Sequence, residues 1–396
     1  MEKISAVNLT KIFGPHPERA LKLLSQGTSK DDIFNQTGQA VGLADVSFEV
    51  PEGEILVVMG LSGSGKSTLI RSINRLIEPT SGQIFIDGED ITTLDHDELL
   101  ELRRHKFGMV FQHFALFPHR NILNNVEYGL EIQKVDKELR QEKARDALKL
   151  VGLEGWEDAK PSQLSGGMQQ RVGLARALAV DPDILLMDEA FSALDPLIRG
   201  DMQNELNSLQ DRMKKTILFI THDLDEALKI GNRVVLMKDG QVVQVGTPEE
   251  ILMAPANDYV RRFVENVDKS KVLTAKSVLT QARVVAYPDD NPRTVLDKMN
   301  SECLSGILVV KHDDNTLQGM VQVKAASAAV ERGDKSIASL IQEKVPTVTS
   351  TAPLTTLISI LVEWPWQVPV VDEERQLQGV IVYSGVLAAL AKRENI

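Results

Sequence analysis

The stretch from Gly60 to Thr68 reads GLSGSGKST and fits the spacing G-x-x-x-x-G-K-[ST] through Gly60, Gly65, Lys66 and Ser67. Each residue type has a chemical use. Successive backbone N–H groups across Gly60, Leu61, Ser62, Gly63, Ser64 and Gly65 can converge on phosphate oxygens. Lys66 reaches the outer phosphates, the Ser67 hydroxyl suits Mg²⁺, and Thr68 closes the nucleotide-binding stretch at the start of the following helix. Other residues have chemistry to offer. Asp188 and Glu189 follow the apolar run ILLM, so they end a buried strand. Asp188 can hold the shell of a Mg²⁺ ion, and Glu189 can polarise a water for attack on a terminal phosphate. His222 directly follows TILFIT and can hydrogen-bond a phosphate oxygen or simply end its strand. Gln112 closes FGMVFQ and can reach Mg²⁺ or the attacking water; on spacing alone it reads rather as an ordinary surface glutamine.

Elements of suitable type must position these groups. Ile55 to Met59 is a short continuous apolar run, as a buried parallel strand requires. After Lys66, apolar residues recur at Leu69, Ile70, Ile73, Leu76 and Ile77, which predicts a helix through Ile77. The order strand, glycine loop, helix puts a positive dipole end beside the phosphates. Residues 3–13, 43–50, 83–87, 107–112, 184–189 and 216–220 read as further strands. Residues 15–40 read as a short helical insertion, and 114–165 as a helical subdomain. Met202, Leu206, Leu209 and Met213 share one helical face. Strands alternating with helices predict an α/β layer with a mainly parallel sheet.

A second helix start, LSGGMQQR from Leu164 to Arg171, offers Ser165 as N-cap and Gly166-Gly167 for close approach to an anion. One phosphate loop already serves the phosphates. A second such site is useful if it closes over the nucleotide of another copy, which predicts a homodimer with two ATP molecules at its interface.

The chain of 396 residues is long enough for two or three domains, and its formal net charge of −12 argues against a nucleic-acid partner. Its one cysteine, Cys303, cannot form an internal disulfide, which suits a reducing compartment; its apolar neighbours predict a buried position. The N-terminus lacks the apolar core of a signal peptide, and no run approaches the roughly 20 apolar residues of a membrane span. Any membrane role is then peripheral. A final helix is expected over Tyr259–Val267, closing a first domain at 1–267, with a linker at 268–276. The remainder repeats itself: ILVVKHDDNTLQGMVQV (307–323) resembles VPVVDEERQLQGVIVYS (368–384). Two β-α-β-β-α units, about 277–335 and 340–396, would pair into one module.

Taken together, the motifs resemble the ATP-binding subunits of ABC transporters. GLSGSGKST resembles the Walker A motif, Phe111-Gln112 the Q-loop, LSGGMQQR the signature, ILLMDE Walker B, Ser192–Asp195 (SALD) the D-loop and Thr221-His222-Asp223 the switch histidine. The resemblance implies ATP and Mg²⁺ as cofactors, with Ser67, Gln112 and Asp188 as metal-side residues and Glu189, His222 and Gln112 as the catalytic set. It implies Phe13 stacking on adenine. Ser165, Gly166, Gly167 and Asp195 would act across a homodimer, and a membrane permease would dock on the loop after Gln112. That places the chain at the cytoplasmic face of a membrane.

The insertion, the tail and stretches such as NRLIEPTSGQIFIDGEDI resemble more narrowly the ATPase of glycine betaine/proline importers. These work with an extracytoplasmic solute-binding protein. The tail resembles a tandem CBS module, which in that family regulates uptake in response to ionic strength or a nucleotide second messenger. Repeats that bind adenosine nucleotides carry Thr and, three residues on, Asp. Here those positions are Gln322 and Ala325, then Val382 and Gly385, which argues against conventional AMP or ATP binding by the tail.

Overall fold

The computed structural model describes residues 2–391. They fall into two compact units that divide between Val264 and Glu265.

The first unit opens with β1 (Glu2–Phe13), and the expected insertion follows as α1 (Pro17–Ser25) and α2 (Lys30–Thr37). Pro17 starts α1, where its missing N–H costs nothing. Ser29 caps α2, and Gly38 closes it in the left-handed conformation. Ala20 and Ile33 pack on Ile12, Val41 and Ala44, so the insertion has a small core of its own. β2 (Ala40–Pro51) then runs antiparallel to β1, and β3 (Ile55–Met59) is buried throughout.

α3 (Lys66–Ile73) is shorter than its apolar spacing predicts. Arg75 takes a φ of +53°, which breaks the helix, and Leu76 turns out to solvent. β4 (Ser81–Ile86), β5 (Glu89–Asp90), α4 (His96–Lys106) and β6 (Phe107–Phe111) come next, and Gln112 lies one residue past its strand. The helical subdomain comprises α5 (Ile122–Val126), α6 (Tyr128–Ile132), α7 (Lys137–Leu150) and the start of α8 (Gly166–Ala179). The chain returns to the sheet with β7 (Ile184–Asp188), α9 (Pro196–Met213), β8 (Thr216–Thr221) and α10 (Leu224–Ile230). It finishes with β9 (Arg233–Lys238), β10 (Gln241–Gly246), α11 (Pro248–Met253) and α12 (Asp258–Val264), which ends three residues short of the expected Val267.

Two sheets sandwich the main core. One is four-stranded and antiparallel, in the order β2-β1-β4-β5; the other is six-stranded, in the order β10-β9-β3-β8-β7-β6, parallel except for the β9–β10 hairpin. Ile4, Leu9 and Phe48 from the first meet Leu56, Val58, Leu186 and Ile220 from the second, with α3 contributing Leu69, Ile70 and Ile73.

The second unit repeats one order of elements. α13 (Ala275–Val278) precedes the first copy, α14 (Pro292–Ser301), β11 (Gly306–Val310), β12 (Leu317–Gln322) and α15 (Val323–Arg332). The second copy is α16 (Leu354–Glu363), β13 (Val368–Val371), β14 (Leu377–Ile381) and α17 (Tyr383–Leu390). The opening strand expected in each copy is reduced to one parallel bridge, Ala286 to Val309 and Val348 to Val370.

The repeated Leu-Gln-Gly has a structural cause. In each hairpin the register slips next to its glutamine, with Gly319 facing Val309 and Gly379 facing Val370. A Cβ on Gly319 would lie 2.4 Å from the Gln342 carbonyl oxygen, and one on Gly379 would lie 2.6 Å from that of Thr280. Backbone crosses both glycines and allows no side chain.

Three expectations are corrected in this unit. Leu273 and Ala275, placed in the linker by sequence, are buried in the core that Leu357, Val370 and Ile381 form. Leu340 and Ile341, expected in the second copy, pack on the core of the first, while Val278, expected in the first, packs with the second, so the two copies exchange their opening segments. Cys303 is exposed; it turns the chain after α14 with a φ of +52°, and a turn at a helix end faces water. The last residues of the expected second repeat, 392–396, lie outside the described residues.

Candidate functional site

The sheet register builds the site. β3 and β8 pair Met59 with Thr221, β7 and β8 pair Asp188 with Ile220, and β6 and β7 pair Phe111 with Asp188. These adjacent parallel strands therefore end side by side. Gly60, Gln112, Glu189 and His222 are the residues that follow those ends. Ligands bind at this edge of open α/β sheets.

A cavity of about 500 Å³ opens there, lined by Gly42, Ser62, Gly63, Gly65, Lys66, Ser67, Thr68, Glu189 and His222. Two glycines of the loop are obligatory. Gly60 has a φ of +153° and Gly65 one of +102°, and a Cβ on either would strike the carbonyl oxygen of Met237 or of Gly42. Lys66 is buried and donates to the Gly60 and Leu61 carbonyls at 2.8 and 3.2 Å. Burial lowers its pKa, and the charges of Glu189 and Asp188 oppose that shift. A phosphate in the cavity would offer this ammonium a better partner than two carbonyls.

Ser67 Oγ donates to Asp188 Oδ1 at 3.1 Å, and Arg71 Nη2 lies 3.3 Å from Asp188 Oδ2. A hydroxyl and a nearly buried carboxylate side by side beside a phosphate cradle form an oxygen set suited to Mg²⁺, which takes one or two carboxylates and completes its shell with phosphate and water. Next to it, Glu189 is held at a φ of +49°, sparsely populated for a residue with a side chain. Its N–H donates to the Ile220 carbonyl at 3.0 Å, and its carbonyl accepts from Ser192 Oγ at 2.9 Å. Glu189 Oε2 meets both Gln112 Nε2 at 3.4 Å and His222 Nδ1 at 3.2 Å. With Nδ1–H given to Glu189, Nε2 can also donate to a phosphate only in the imidazolium form.

A family model described as ABC transporter matches residues 43–192, and one described as CBS domain matches residues 337–392. The chain is 54% identical to the glycine betaine/carnitine transport ATP-binding protein of Listeria monocytogenes, over 100% of this chain and 99% of that one. It is 49% identical to the glycine betaine/proline betaine transport ATP-binding protein of Escherichia coli, over 100% and 98% of the two chains. The chain belongs to the ATP-binding subunits of ABC transporters. A solved dimeric bacterial ABC transporter cassette is 36% identical to it, with a TM-score of 0.53 over 62% of this chain and 98% of that one.

The remaining predicted residues of this ATP-binding subunit do not line the cavity. Phe13 ends β1 with its ring against Gly42, at the rim, and 40% of its surface is exposed. Ser165 caps α8 by accepting from Met168 N at 3.4 Å. Gly167 packs against Ile198, where a Cβ would lie 2.5 Å from Cγ2, and Gly166 faces Phe114. Asp195 caps α9 through the N–H groups of Leu197 and Ile198 at 3.2 and 3.1 Å. The signature start and the D-loop are thus adjacent to each other and absent from their own chain's phosphate cavity.

Sequence reasoning missed Gly42, Arg71 and Arg199. Arg71 stands one helical turn after Ser67, a spacing that could have flagged it. Arg199 Nη1 pairs with Asp223 at 3.1 Å and so ties the helix capped by Asp195 to the residue after His222; no local pattern announces that. Arg176 on α8 donates to the Phe114 carbonyl at 3.1 Å, and so holds the segment after Gln112 on the signature helix. No helix among the described residues is long and apolar enough to cross a membrane.

Proposed function

We propose that the subunit hydrolyses MgATP to energise uptake of a quaternary-amine osmolyte of the glycine betaine or proline betaine type. The convergence of Gln112 and His222 on Glu189 Oε2, at the lip of the phosphate cavity, carries the catalytic reading. Phosphates sit under the N–H groups of Ser62 to Ser67, and Lys66 takes the outer oxygens. Phe13 supplies a ring for adenine. Ser67, Asp188 and Gln112 would hold Mg²⁺, which when bound neutralises phosphate charge. Glu189 orients and deprotonates the attacking water, held in place by its two partners. His222 steadies the terminal phosphate.

Two copies sandwich two nucleotides, each copy offering Ser165, Gly166, Gly167 and Asp195 to the other's cavity. That these residues lie off their own cavity supports the pairing. Closure on ATP pulls on a permease docked at the segment after Gln112, which Arg176 couples to α8. An extracytoplasmic binding protein delivers the solute. The tandem CBS module regulates the cycle, and Gln322, Ala325, Val382 and Gly385 direct that regulation away from conventional AMP or ATP binding.

The decisive measurement is ATPase activity of the subunit with its permease and binding protein in liposomes. Stimulation by glycine betaine or proline betaine, changing with internal salt, is the expected result. Stimulation by a different solute alone would overturn the osmolyte assignment and leave the ATPase.

A further inference from the structure

The insertion between β1 and β2 has no part in the motifs, yet it touches the phosphate loop. Lys30, the first residue of α2, places Nζ 3.3 Å from the Gly63 carbonyl oxygen and 3.2 Å from Asp239 Oδ1 in the β9–β10 turn. Neither element is free to drift. Ile33, one turn further on the same face of α2, is fully buried against Ile12, Val41 and Ala44, and Ser29 fixes the start of the helix. Asp239 belongs to a two-residue hairpin whose next residue, Gly240, donates its N–H to the Ser64 carbonyl at 3.0 Å. Two consecutive carbonyls of the loop, Gly63 and Ser64, are therefore each held by a donor from outside the glycine motif.

A loop that aims N–H groups inward at phosphates turns carbonyls outward. Those carbonyls need partners if the loop is to keep its shape before the ligand arrives. From this we infer that Lys30 is a positioning residue for the nucleotide phosphates: the insertion serves to pin the outer edge of the phosphate loop through the Gly63 carbonyl, with Asp239 as the anchor of the ammonium. The inference rests on the reading of the phosphate cavity as the ATP site.

The test uses the full-length chain, with ATP binding followed by titration and hydrolysis by phosphate release. Lys30→Ala should raise the Kd and KM for ATP about ten-fold, the loss of one charge-assisted hydrogen bond, with kcat at saturating ATP changed less than about two-fold. Lys30→Arg should restore most of the affinity, and Asp239→Asn should show a smaller KM increase of the same kind. A purely structural lysine would lower the melting temperature without splitting KM from kcat. If Lys30→Ala folds poorly, Lys30→Gln retains most of the stem and is read in the same way. Unchanged Kd and KM in a folded variant, or a fall in kcat alone, overturns the inference while wild-type ATP binding keeps the site. A wild-type chain that binds no ATP overturns the site reading first, and this inference with it.

Discussion

The two ends of the six-stranded sheet treat charge in opposite ways. At the end where β3, β6, β7 and β8 finish, Lys66 is left with carbonyl partners and Glu189 takes a disfavoured backbone conformation. At the other end, charges close on one another. Lys3 binds Asp87 at 2.8 Å and Asp183 at 3.0 Å, while Lys106 binds the same two carboxylates at 2.9 and 2.7 Å. This four-membered ring joins β1, the β4–β5 turn, the end of α4 and the start of β7. The closed ring ties the two sheets together; the cluster at the opposite end keeps its ammonium on backbone carbonyls. Unpaired charge and strain are tolerated where function needs them and removed where it does not.

Substitutions at the two ends should therefore separate turnover from stability. The largest effect belongs to Glu189→Gln, which keeps the shape and both neighbours but cannot take a proton. We expect kcat to fall about 100-fold or more with ATP binding retained and the unfolding midpoint nearly unmoved. Undiminished hydrolysis in that variant would remove Glu189 from its role. His222→Gln should follow, with kcat down about ten-fold and little change in KM, because the side chain touches Glu189 and lies at the cavity wall. A pure KM effect would assign His222 to binding instead.

The smallest effect belongs to the closed end. Asp183→Asn should cost about 1 kcal/mol in denaturant unfolding, because Asp183 itself is partly exposed although its partner Lys3 is buried, and should leave kcat alone. The sign with pH follows from the shifts. Hydrogen bonds to Lys106, with help from Lys3 against the cost of burial, hold the Asp183 carboxyl below its ordinary 3.8. Its contribution is therefore present above 3.8 and lost as pH falls through the lower folded value. Hydrogen bonds to Asp183 and Asp87 raise Lys106 from 10.5 to about 12, so its share is complete below 10.5 and lost as pH rises through about 12. The stability gap between wild type and Asp183→Asn should thus be flat around neutrality and close in strong acid. A gap that opens in acid would refute the ring as its source.

Much of this protein is local enough to read from sequence. Ile55–Met59, and the runs at 184–187 and 217–220, are short and continuously apolar because both faces of their strands are covered, as central strands of a parallel sheet require. The Gly60–Ser67 loop was legible because its conformation demands glycine wherever backbone crowds it. The errors share one cause. Ending α3 at Ile73, exposing Cys303 and burying Leu273 all depend on which surface a residue finally faces, and local spacing holds no information on that. The exchange of opening segments between the two repeats is of the same kind, since Val278 and Ile341 pack on partners distant in sequence.

Sequence alone determined the family, the phosphate loop, the acidic pair after ILLM and the duplication of the tail, because each is written in contiguous residues with a fixed chemical demand. Only the tertiary structure brought Gln112 and His222 to one oxygen of Glu189, set Arg71 on Asp188 and carried Lys30 to the Gly63 carbonyl. Those meetings are fixed by strand register and by helix packing. Both are properties of how distant segments pair, and no single segment encodes them.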